Sequence, residues 1–428
     1  MMTIKPQVYT LKNGLTVILI DTKTFPTLTT LLLVGAGSRY ENEKNNGIAH
    51  FFEHMAFKGS KKFPNSLTIS STVEGLGGVF NAFTSKDHTG YWIKSTNEHF
   101  DTVIDVLSDM VLNPLLLEEE INREKGVIVE EINMYQDMPQ QKVGELFEKM
   151  LYKNNALGYE IAGTKDTVTK FTRQTFIDYI RLLYHPKNSV FIVAGGLGNK
   201  NYTSIIEEKF AKWKGQDAEN FIKVKEVQTN PEIYVRTKKT EQTHFCLGFR
   251  AFSFFDKRKY ALNLLSVILG GGMSSRLFIQ VRERRGLCYY ISTGREHYAD
   301  VGSFVTQAGV TNDIGKLKLA IETILQEHKK ILKREVTEKE LIKAKELIKG
   351  RLLLSMEDSF NVAFSFGNKK LLQNTLETPE EIIKKIEAVK IEEITAVARD
   401  IFLPERLNMA IISPFSEEEI TKNIKLEI

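Results

Sequence analysis

The chain has 428 residues, of which 42% are apolar and 26% charged, a composition typical of a folded globular protein with two or more domains. The net charge of +4 is small, and no stripe of Lys and Arg alternates with aromatic residues, so the sequence argues against a nucleic-acid partner. Its apolar runs, such as residues 31–34, are far too short to span a bilayer, which argues against a membrane protein.

Cysteine usage and the first residues predict the compartment. Cys246 and Cys288 are the only cysteines, and two thiols do not make a disulfide framework. Residues 1–10 contain no cationic region followed by an apolar core, so they do not resemble a signal peptide. We therefore expect a cytoplasmic protein.

Alternating apolar residues predict strands, and apolar residues three to four positions apart predict helices. An Asn13-Gly14 pair between the first two strands is typical of a hairpin turn. In the first part of the chain we expect strands at 8–10, 15–20, 27–34, 79–84, 88–95 and 189–194. We expect helices near 45–58, 66–75, 97–112, 117–138, 140–152 and 170–183.

The second part of the chain restarts after a polar stretch near 214–231, which is expected to be a linker. Strands are predicted at about 232–238, 243–250, 302–310 and 407–413. Helices are predicted at 257–270, 313–332, 336–356, 358–373, 378–387 and 391–402.

The run His50-Phe51-Phe52-Glu53-His54 carries the strongest chemical signal. Two histidines four residues apart lie on one face of a helix, where both imidazoles can reach one metal ion. Imidazole suits zinc, and a catalytic zinc site uses three protein ligands and leaves one position open for water. Glu53 can lie beside that water. This order is the inverted form of the zinc-peptidase motif.

The predicted helix 117–138 offers a third ligand. Glu124 and Glu131 are seven residues apart, so they share one face with the apolar positions Ile121, Val127, Ile128 and Tyr135. Two carboxylates on an apolar stripe are anomalous unless a cation faces them. Glu131 can complete a His/His/Glu zinc site, with Glu124 orienting a ligand or the water. The alternative is that Glu124 belongs to a surface charge pattern with its neighbours.

A Gly77-Gly78 pair turns the chain into the predicted strand 79–84, which we expect to form a hairpin with 88–95. An edge strand can receive an extended peptide through main-chain hydrogen bonds. The alternative is an ordinary edge strand in which Phe80 and Phe83 only pack.

The pattern His-x-x-Glu-His, followed after 76 residues by Glu131, resembles the pitrilysin family of zinc metallopeptidases. That family includes insulin-degrading enzyme, the mitochondrial processing peptidase and small two-domain bacterial relatives. The flanking runs 47–49, 55–60 and 124–132 are also similar. The resemblance implies these roles: zinc ligands His50, His54 and Glu131, general base Glu53, supporting carboxylate Glu124, and substrate-binding residues Asn81, Ala82 and Phe83.

A second signature lies downstream, in the runs 270–278 and 281–289. In the family, an Arg and a Tyr seven residues apart reach the substrate at the zinc site, and these fall on Arg282 and Tyr289. An Arg can bind a carbonyl or carboxylate, and a Tyr hydroxyl can donate to an oxyanion. Without the resemblance, Arg282 would be one charge of a basic cluster and Tyr289 a strand residue.

The helix at 257–270 follows the strands 232–238 and 243–250 and takes the place that the helix at 45–58 has in the first half, and the run 264–271, apolar at the ligand positions, aligns with 50–57. We therefore expect an α+β fold of two homologous, duplicated α/β domains. Each would have a mainly antiparallel sheet packed with helices, and the two would enclose a cleft or chamber. The expected boundaries are 1–215 for the zinc-binding domain, 216–231 for the linker and 232–428 for the domain supplying Arg282 and Tyr289.

The resemblance implies a zinc metalloendopeptidase that binds one Zn²⁺ per chain and hydrolyses unstructured peptides. Two alternatives stay open: a non-catalytic, peptide-binding homologue that needs a partner chain, and an unrelated scaffold with a chance motif. The resemblance favours a homodimer, in which one subunit contributes zinc and the other the Arg/Tyr pair. A heterodimer with a related subunit is the alternative.

Overall fold

A computed structural model describes residues 5–215 and 217–428. Residues 1–4, at the start of the predicted N-terminal domain, and residue 216, the first of the predicted linker, lie outside the described part. The chain forms two compact units, each assembled from three stretches. The first unit comprises Met1–Asn133, Tyr159–Ile222 and Leu353–Glu380, and the second comprises Met134–Gly158, Lys223–Leu352 and Glu381–Ile428.

The first unit contains a six-stranded sheet in the order β1-β2-β6-β3-β5-β4. Its strands are β1 Gln7–Thr10, β2 Thr16–Asp21, β3 Thr27–Val34, β4 Val79–Thr84, β5 Thr89–Thr96 and β6 Ser189–Gly195. Only β2 and β6 pair in parallel; the other neighbours are antiparallel. The strand β4 therefore lies at one edge of the sheet.

The second unit repeats this plan with five strands in the order β7-β11-β8-β10-β9. They are β7 Glu232–Thr237, β8 Gln242–Ala251, β9 Cys288–His297, β10 Gly302–Thr311 and β11 Asn408–Ser413. Here only β7 and β11 pair in parallel. Strand for strand, β7-β11-β8-β10-β9 matches β2-β6-β3-β5-β4, so the predicted duplicated α+β fold is confirmed.

The helices of the described residues surround these sheets. In the first half they are α1 Ile48–Ala56, α2 Ser66–Glu74, α3 Phe100–Leu112, α4 Glu118–Gln136, α5 Pro139–Leu151, α6 Lys165–Lys170, α7 Arg173–Leu183 and α8 Tyr202–Phe210. In the second half they are α9 Lys259–Gly270, α10 Ile314–Leu332, α11 Glu338–Ser355, α12 Ser359–Gln373, α13 Pro379–Ala388, α14 Ile391–Ile401 and α15 Glu417–Asn423.

Each sheet buries both faces, and the second face is covered by a helix from the other half of the sequence. In the first unit, α12 buries Val362, Ala363 and Phe366 against β2, β3 and β6. In the second unit, α5 buries Val143 and Phe147 against β8 and β11. A single cut at residues 216–231 would therefore separate both helices from the sheets that they cover.

The structure departs from the sequence expectations in detail. Val127 was placed on the buried stripe of α4, but it is 49% exposed, and Ile132 is buried instead. A helical period of 3.6 residues carries the buried face from Ile128 to Ile132, which leaves Val127 on the outer side. The helices α6, α8 and α15 were not predicted. Among the described residues, no helix has the length and apolar character needed to cross a membrane.

Candidate metal centre

The helix α1 carries the histidine motif, and its apolar residues fix how the helix is rotated. The ring of Phe51 meets that of Phe176 at 5.0 Å between centroids. Turning the helix would expose its apolar face to water, so His50, Glu53 and His54 are held on the opposite, partly exposed face. The buried residues of the helix are Ile48, Ala49, Phe51, Phe52, Met55 and Ala56.

His50, His54 and Glu131 converge on one point. The Nε2 atom of His50 lies 3.6 Å from Oε1 of Glu131, and the Nε2 atom of His54 lies 3.6 Å from Oε2 of the same carboxylate. One ligand atom from each residue can be chosen so that all lie within 4.8 Å of one another. Zinc with bonds of about 2.0–2.1 Å in a tetrahedron separates its ligand atoms by about 3.3 Å. The three side chains therefore fit zinc.

Glu124 is buried behind His54, with 3% of its surface exposed. The Nδ1–H of His54 donates to Oε1 of Glu124 at 2.8 Å, and Nζ of Lys58 lies 2.5 Å from Oε2. Burial alone would raise the pKa of Glu124, but the bonds to His54 and Lys58 outweigh burial and hold the pKa below its usual range. An ionised Glu124 keeps Nδ1 of His54 protonated, which leaves Nε2 available to a metal.

The two histidines differ in their acidity. Burial, with the charge of His54 as a second cause, lowers the pKa of His50 to about 4, so its imidazole is neutral near pH 7. Burial also opposes the charged form of His54. At His54, however, the hydrogen bond to Glu124 and the charges of the neighbouring carboxylates outweigh burial and raise the pKa of the imidazole. Nδ1 of His50 is buried, and no hydrogen-bond acceptor reaches it among the described residues.

Glu53 lies beside this cluster and is tied to the edge strand. The hydroxyl of Thr84, the last residue of β4, donates to Oε2 of Glu53 at 2.5 Å. Burial raises the pKa of Glu53, while the Thr84 hydrogen bond acts in the opposite direction. The bond fixes Oε2, and no hydrogen bond from the described residues reaches Oε1.

Among the described strands, the edge strand β4 pairs with β5 alone. Asn81 is exposed on it, and its Oδ1 accepts a hydrogen bond of 2.8 Å from the N–H of Ala82. The Phe83 ring packs against Phe364 of α12 at 5.5 Å between centroids, and Phe80 packs against Phe57 at 5.6 Å. Both phenylalanines thus have packing partners within the first unit.

Arg282 and Tyr289 lie together in the second unit. Arg282 is the last but one residue of a π-helical turn at Phe278–Glu283, and Tyr289 is the second residue of β9. The chain reverses between them at Gly286, whose φ of +59° lies in the left-handed region that glycine favours. The Arg282 guanidinium lies 5.6 Å from the centre of the Tyr289 ring. Tyr289 is 73% exposed, so its side chain contributes little to the core.

Three residues close to the motif were not predicted to act there. Lys58 follows His54 by four residues, so this spacing could have predicted that the two side chains lie close together. Thr84 ends a strand that the sequence had already marked out. Glu41 accepts hydrogen bonds from the N–H groups of Gly47 and Ala49 at the start of α1. No local sequence pattern predicts that contact.

A duplicated α+β fold with a His/His/Glu cluster on an inverted motif is the architecture of a class of zinc peptidases. Comparison of the sequence with known protein families leads to the same class. Residues 16–165 match the family described as Insulinase (Peptidase family M16), and residues 170–348 match the Peptidase M16 inactive domain. The chain belongs to peptidase family M16, the insulinase family.

Three similar proteins come from bacteria. The uncharacterized zinc protease YmxG of Bacillus subtilis is 37% identical over 407 residues, covering 95% of this chain and 98% of that protein. An uncharacterized zinc protease of Rickettsia felis is 34% identical, covering 94% and 96%. The crystal structure of a protease from Helicobacter pylori has a TM-score of 0.89 at 25% identity, covering 96% and 100%. The relatives' names support a metalloprotease at the level of the family.

Proposed function

We propose that this chain is a zinc-dependent endopeptidase that hydrolyses unstructured peptides, with one Zn²⁺ per chain held by His50, His54 and Glu131. The observation that carries the proposal is the convergence of these three side chains, with Glu53 beside them and Glu124 behind. Zinc at such a site polarises a peptide carbonyl and lowers the pKa of water toward neutrality.

Glu53 is the proposed general base. Its Oε2 is occupied by the Thr84 hydroxyl, so Oε1 is the atom that takes a proton from the attacking water and returns it to the leaving amine. Glu124 is the proposed supporting carboxylate, because it fixes the tautomer and ring orientation of His54.

The substrate is proposed to add as an extra strand along β4. The backbone of Asn81, Ala82 and Phe83 would supply hydrogen bonds that do not depend on substrate sequence, with the Ala82 N–H released from the Asn81 side chain. Tyr289 would donate its hydroxyl to the developing oxyanion, and Arg282 would bind a carbonyl or carboxylate of the substrate. The exposure of Tyr289 and the absence of a structural task for its hydroxyl among the described contacts support this role.

We further propose a homodimer working in the cytoplasm. Cys246 and Cys288 are both free thiols, which suits a reducing compartment. The oligomeric state can be measured by light scattering, and the proposal predicts twice the chain mass of 48.8 kDa.

The test is hydrolysis of a mixed library of unstructured peptides by the wild type, Glu53→Gln and Glu130→Gln, with zinc measured on each. Glu130 is the matched control because it is an exposed carboxylate on α4, one residue before Glu131. We expect about one zinc in every variant and cleavage lowered at least 10²-fold in Glu53→Gln alone.

The other outcomes identify the failing step. Zinc without cleavage in the wild type would favour a non-catalytic homologue that needs a partner chain. The label of the family match at 170–348 as an inactive domain does not bear on this, because the metal cluster lies outside that range, at residues 50–131. Absence of zinc from the wild type would overturn the proposed function as a whole.

A further inference from the structure

The segment between β3 and α1 carries a carboxylate buried among hydrogen-bond donors. Glu41 is 6% exposed. Its Oε2 accepts from the N–H of Gly47 at 2.8 Å and from the Nδ2 amide of Asn46 at 2.9 Å. Its Oε1 accepts from the N–H of Ala49 at 2.9 Å. A buried acceptor with three donors in place is fully satisfied, so its geometry is fixed.

These donors include the amides at the start of the metal-motif helix. α1 follows Gly47, which has a φ of 99°, and no side chain of the capping position satisfies the first amides. Helix starts leave such N–H groups without intrahelical partners, and negative charge is favoured there. The first turn of α1 contains no acidic residue. Glu41 thus supplies, from the segment before the helix, the acceptor atoms that α1 lacks.

The same short segment is also bound to the turn that follows β4. The N–H of Ser38 donates to the carbonyl of Ser85 at 3.2 Å, and the N–H of Arg39 donates to that of Lys86 at 3.0 Å. The buried Arg39 guanidinium lies 2.8 Å from Oδ1 of Asp87. The segment 38–41 therefore joins the start of α1 to the hairpin that carries Thr84.

We propose that Glu41 is a positioning residue for the metal centre. By holding the first amides of α1, it sets where the helix lies along its axis. That position decides whether His50 and His54 meet Glu131 and whether Glu53 meets Thr84. The inference rests on the proposed zinc site. It adds a residue that touches neither metal nor substrate.

Glu41→Gln is the direct test. Gln has the same shape, but its NH₂ group would face an N–H donor, so at least one of the bonds to the helix is lost. The matched control is Asp109→Asn. Asp109 is also a buried carboxylate of the first unit, 4% exposed, with donors from Ser60, Lys62 and Asn113 and no bond to α1.

Both variants are measured in four ways: zinc affinity by chelator competition, the visible spectrum of the Co²⁺-loaded protein, thermal stability and amide hydrogen exchange. We expect Glu41→Gln to bind zinc about tenfold more weakly, with altered Co²⁺ bands and faster hydrogen exchange at Gly47 and Ala49. Asp109→Asn is expected to lose stability while keeping wild-type zinc affinity and Co²⁺ bands. A merely structural role for Glu41 would make the two variants alike.

The failures are distinguishable. A wild type that binds no zinc overturns the proposed function, whereas wild-type zinc affinity in Glu41→Gln overturns only the role of Glu41. If Glu41→Gln does not fold, Asn46→Ala carries the test, because it removes one donor to Glu41 and keeps the carboxylate. We expect about threefold weaker zinc binding in that variant. An unchanged affinity there rejects the inference.

Discussion

The hydroxyl of Thr84 donates a hydrogen bond of 2.5 Å to Oε2 of Glu53, and this bond joins the edge strand β4 to the metal-motif helix α1. The strand proposed to receive substrate and the residue proposed to act as base are thereby linked by one contact. A peptide added to β4 would lie at a fixed distance from the free Oε1 of Glu53. Binding and proton transfer would then depend on the same piece of structure.

Thr84→Val should lower kcat about tenfold without changing zinc affinity. Val has the shape of Thr but no hydroxyl, so Glu53 loses the bond that orients it, and hydrogen bonds to charged groups contribute about 1.5–3 kcal/mol. Steady-state kinetics with a fluorogenic peptide gives kcat, and chelator competition gives the zinc affinity. Thr84→Ser keeps the hydroxyl and should retain most activity. Equal rates for the Val and Ser variants would contradict the role of the bond.

Glu124→Gln should weaken zinc binding by about 10- to 100-fold, because the amide cannot hold His54 as a charged carboxylate does. Lys58 would also lose its ionic partner, 2.5 Å away. Glu130→Gln is the control, since Glu130 is exposed on the same helix. Zinc affinity is measured by competition with a chelator. If both variants bind zinc equally well, Glu124 has no part in the site.

Local spacing was enough to predict much of this molecule. The strands 27–34 and 79–84 were predicted with the bounds that the structure has, because each is a short apolar or aromatic run ended by turn residues. The pairing of His50 with His54 on one helical face also followed from spacing, whereas the choice of Glu131 over Glu124 as their partner came from the family resemblance.

Contacts between distant segments could not be read in the same way. The bond from Glu41 to α1 depends on how a loop folds back, and the covering of the first sheet by α12 depends on a helix more than 150 residues from β6. The error at Val127 has a simpler cause, because a seven-residue spacing does not decide which apolar neighbours face inward. The helix α8 could have been predicted from the sequence, because its buried residues Tyr202, Ile206 and Phe210 are spaced four apart.

Tyr289→Phe should lower kcat/KM about 10- to 100-fold and leave stability unchanged. The ring is 73% exposed, so removing the hydroxyl disturbs no core, while the lost donor to an oxyanion costs transition-state stabilisation. Kinetics and thermal unfolding are measured on the same preparation. Tyr234→Phe, at another exposed tyrosine of the second unit, is the control and should match the wild type. A fully active Tyr289→Phe would remove Tyr289 from the mechanism.

Removing the metal should abolish hydrolysis without unfolding the chain. The apolar face of α1 is buried against the core of the first unit and does not depend on a metal ion. Zinc present at 100 times its dissociation constant should stabilise the protein by about 2.7 kcal/mol. The bound metal is first removed with a chelator. Thermal unfolding of the metal-free protein, with and without added zinc, then measures this stabilisation. Glu131→Gln should show a much smaller shift, and an equal shift in that variant would mean that zinc binds elsewhere.

The pairing of Arg276 with Glu340 should make stability depend on pH in a defined range. Arg276 Nε lies 2.6 Å from Oε1 of Glu340, and the N–H of Thr337 donates to Oε2 at 2.9 Å. Burial opposes ionisation of Glu340, but Arg276 and Thr337 outweigh it and lower its pKa to about 2. A carboxyl whose pKa is lower in the folded state stabilises the fold at pH values above its unfolded pKa. That contribution is lost as the pH falls toward the folded pKa.

Glu340→Gln should therefore lower the free energy of unfolding by about 2 kcal/mol at pH 7. The difference from the wild type should stay constant down to about pH 5, shrink below about pH 4.3 and vanish near pH 2. Urea unfolding of the full chain, followed by circular dichroism at several pH values, measures it. Glu346→Gln is the control on the same helix, because that side chain is 67% exposed and should have little effect at any pH. A Glu340→Gln penalty that stayed constant down to pH 3 would mean that the ionised carboxylate is not what stabilises this contact.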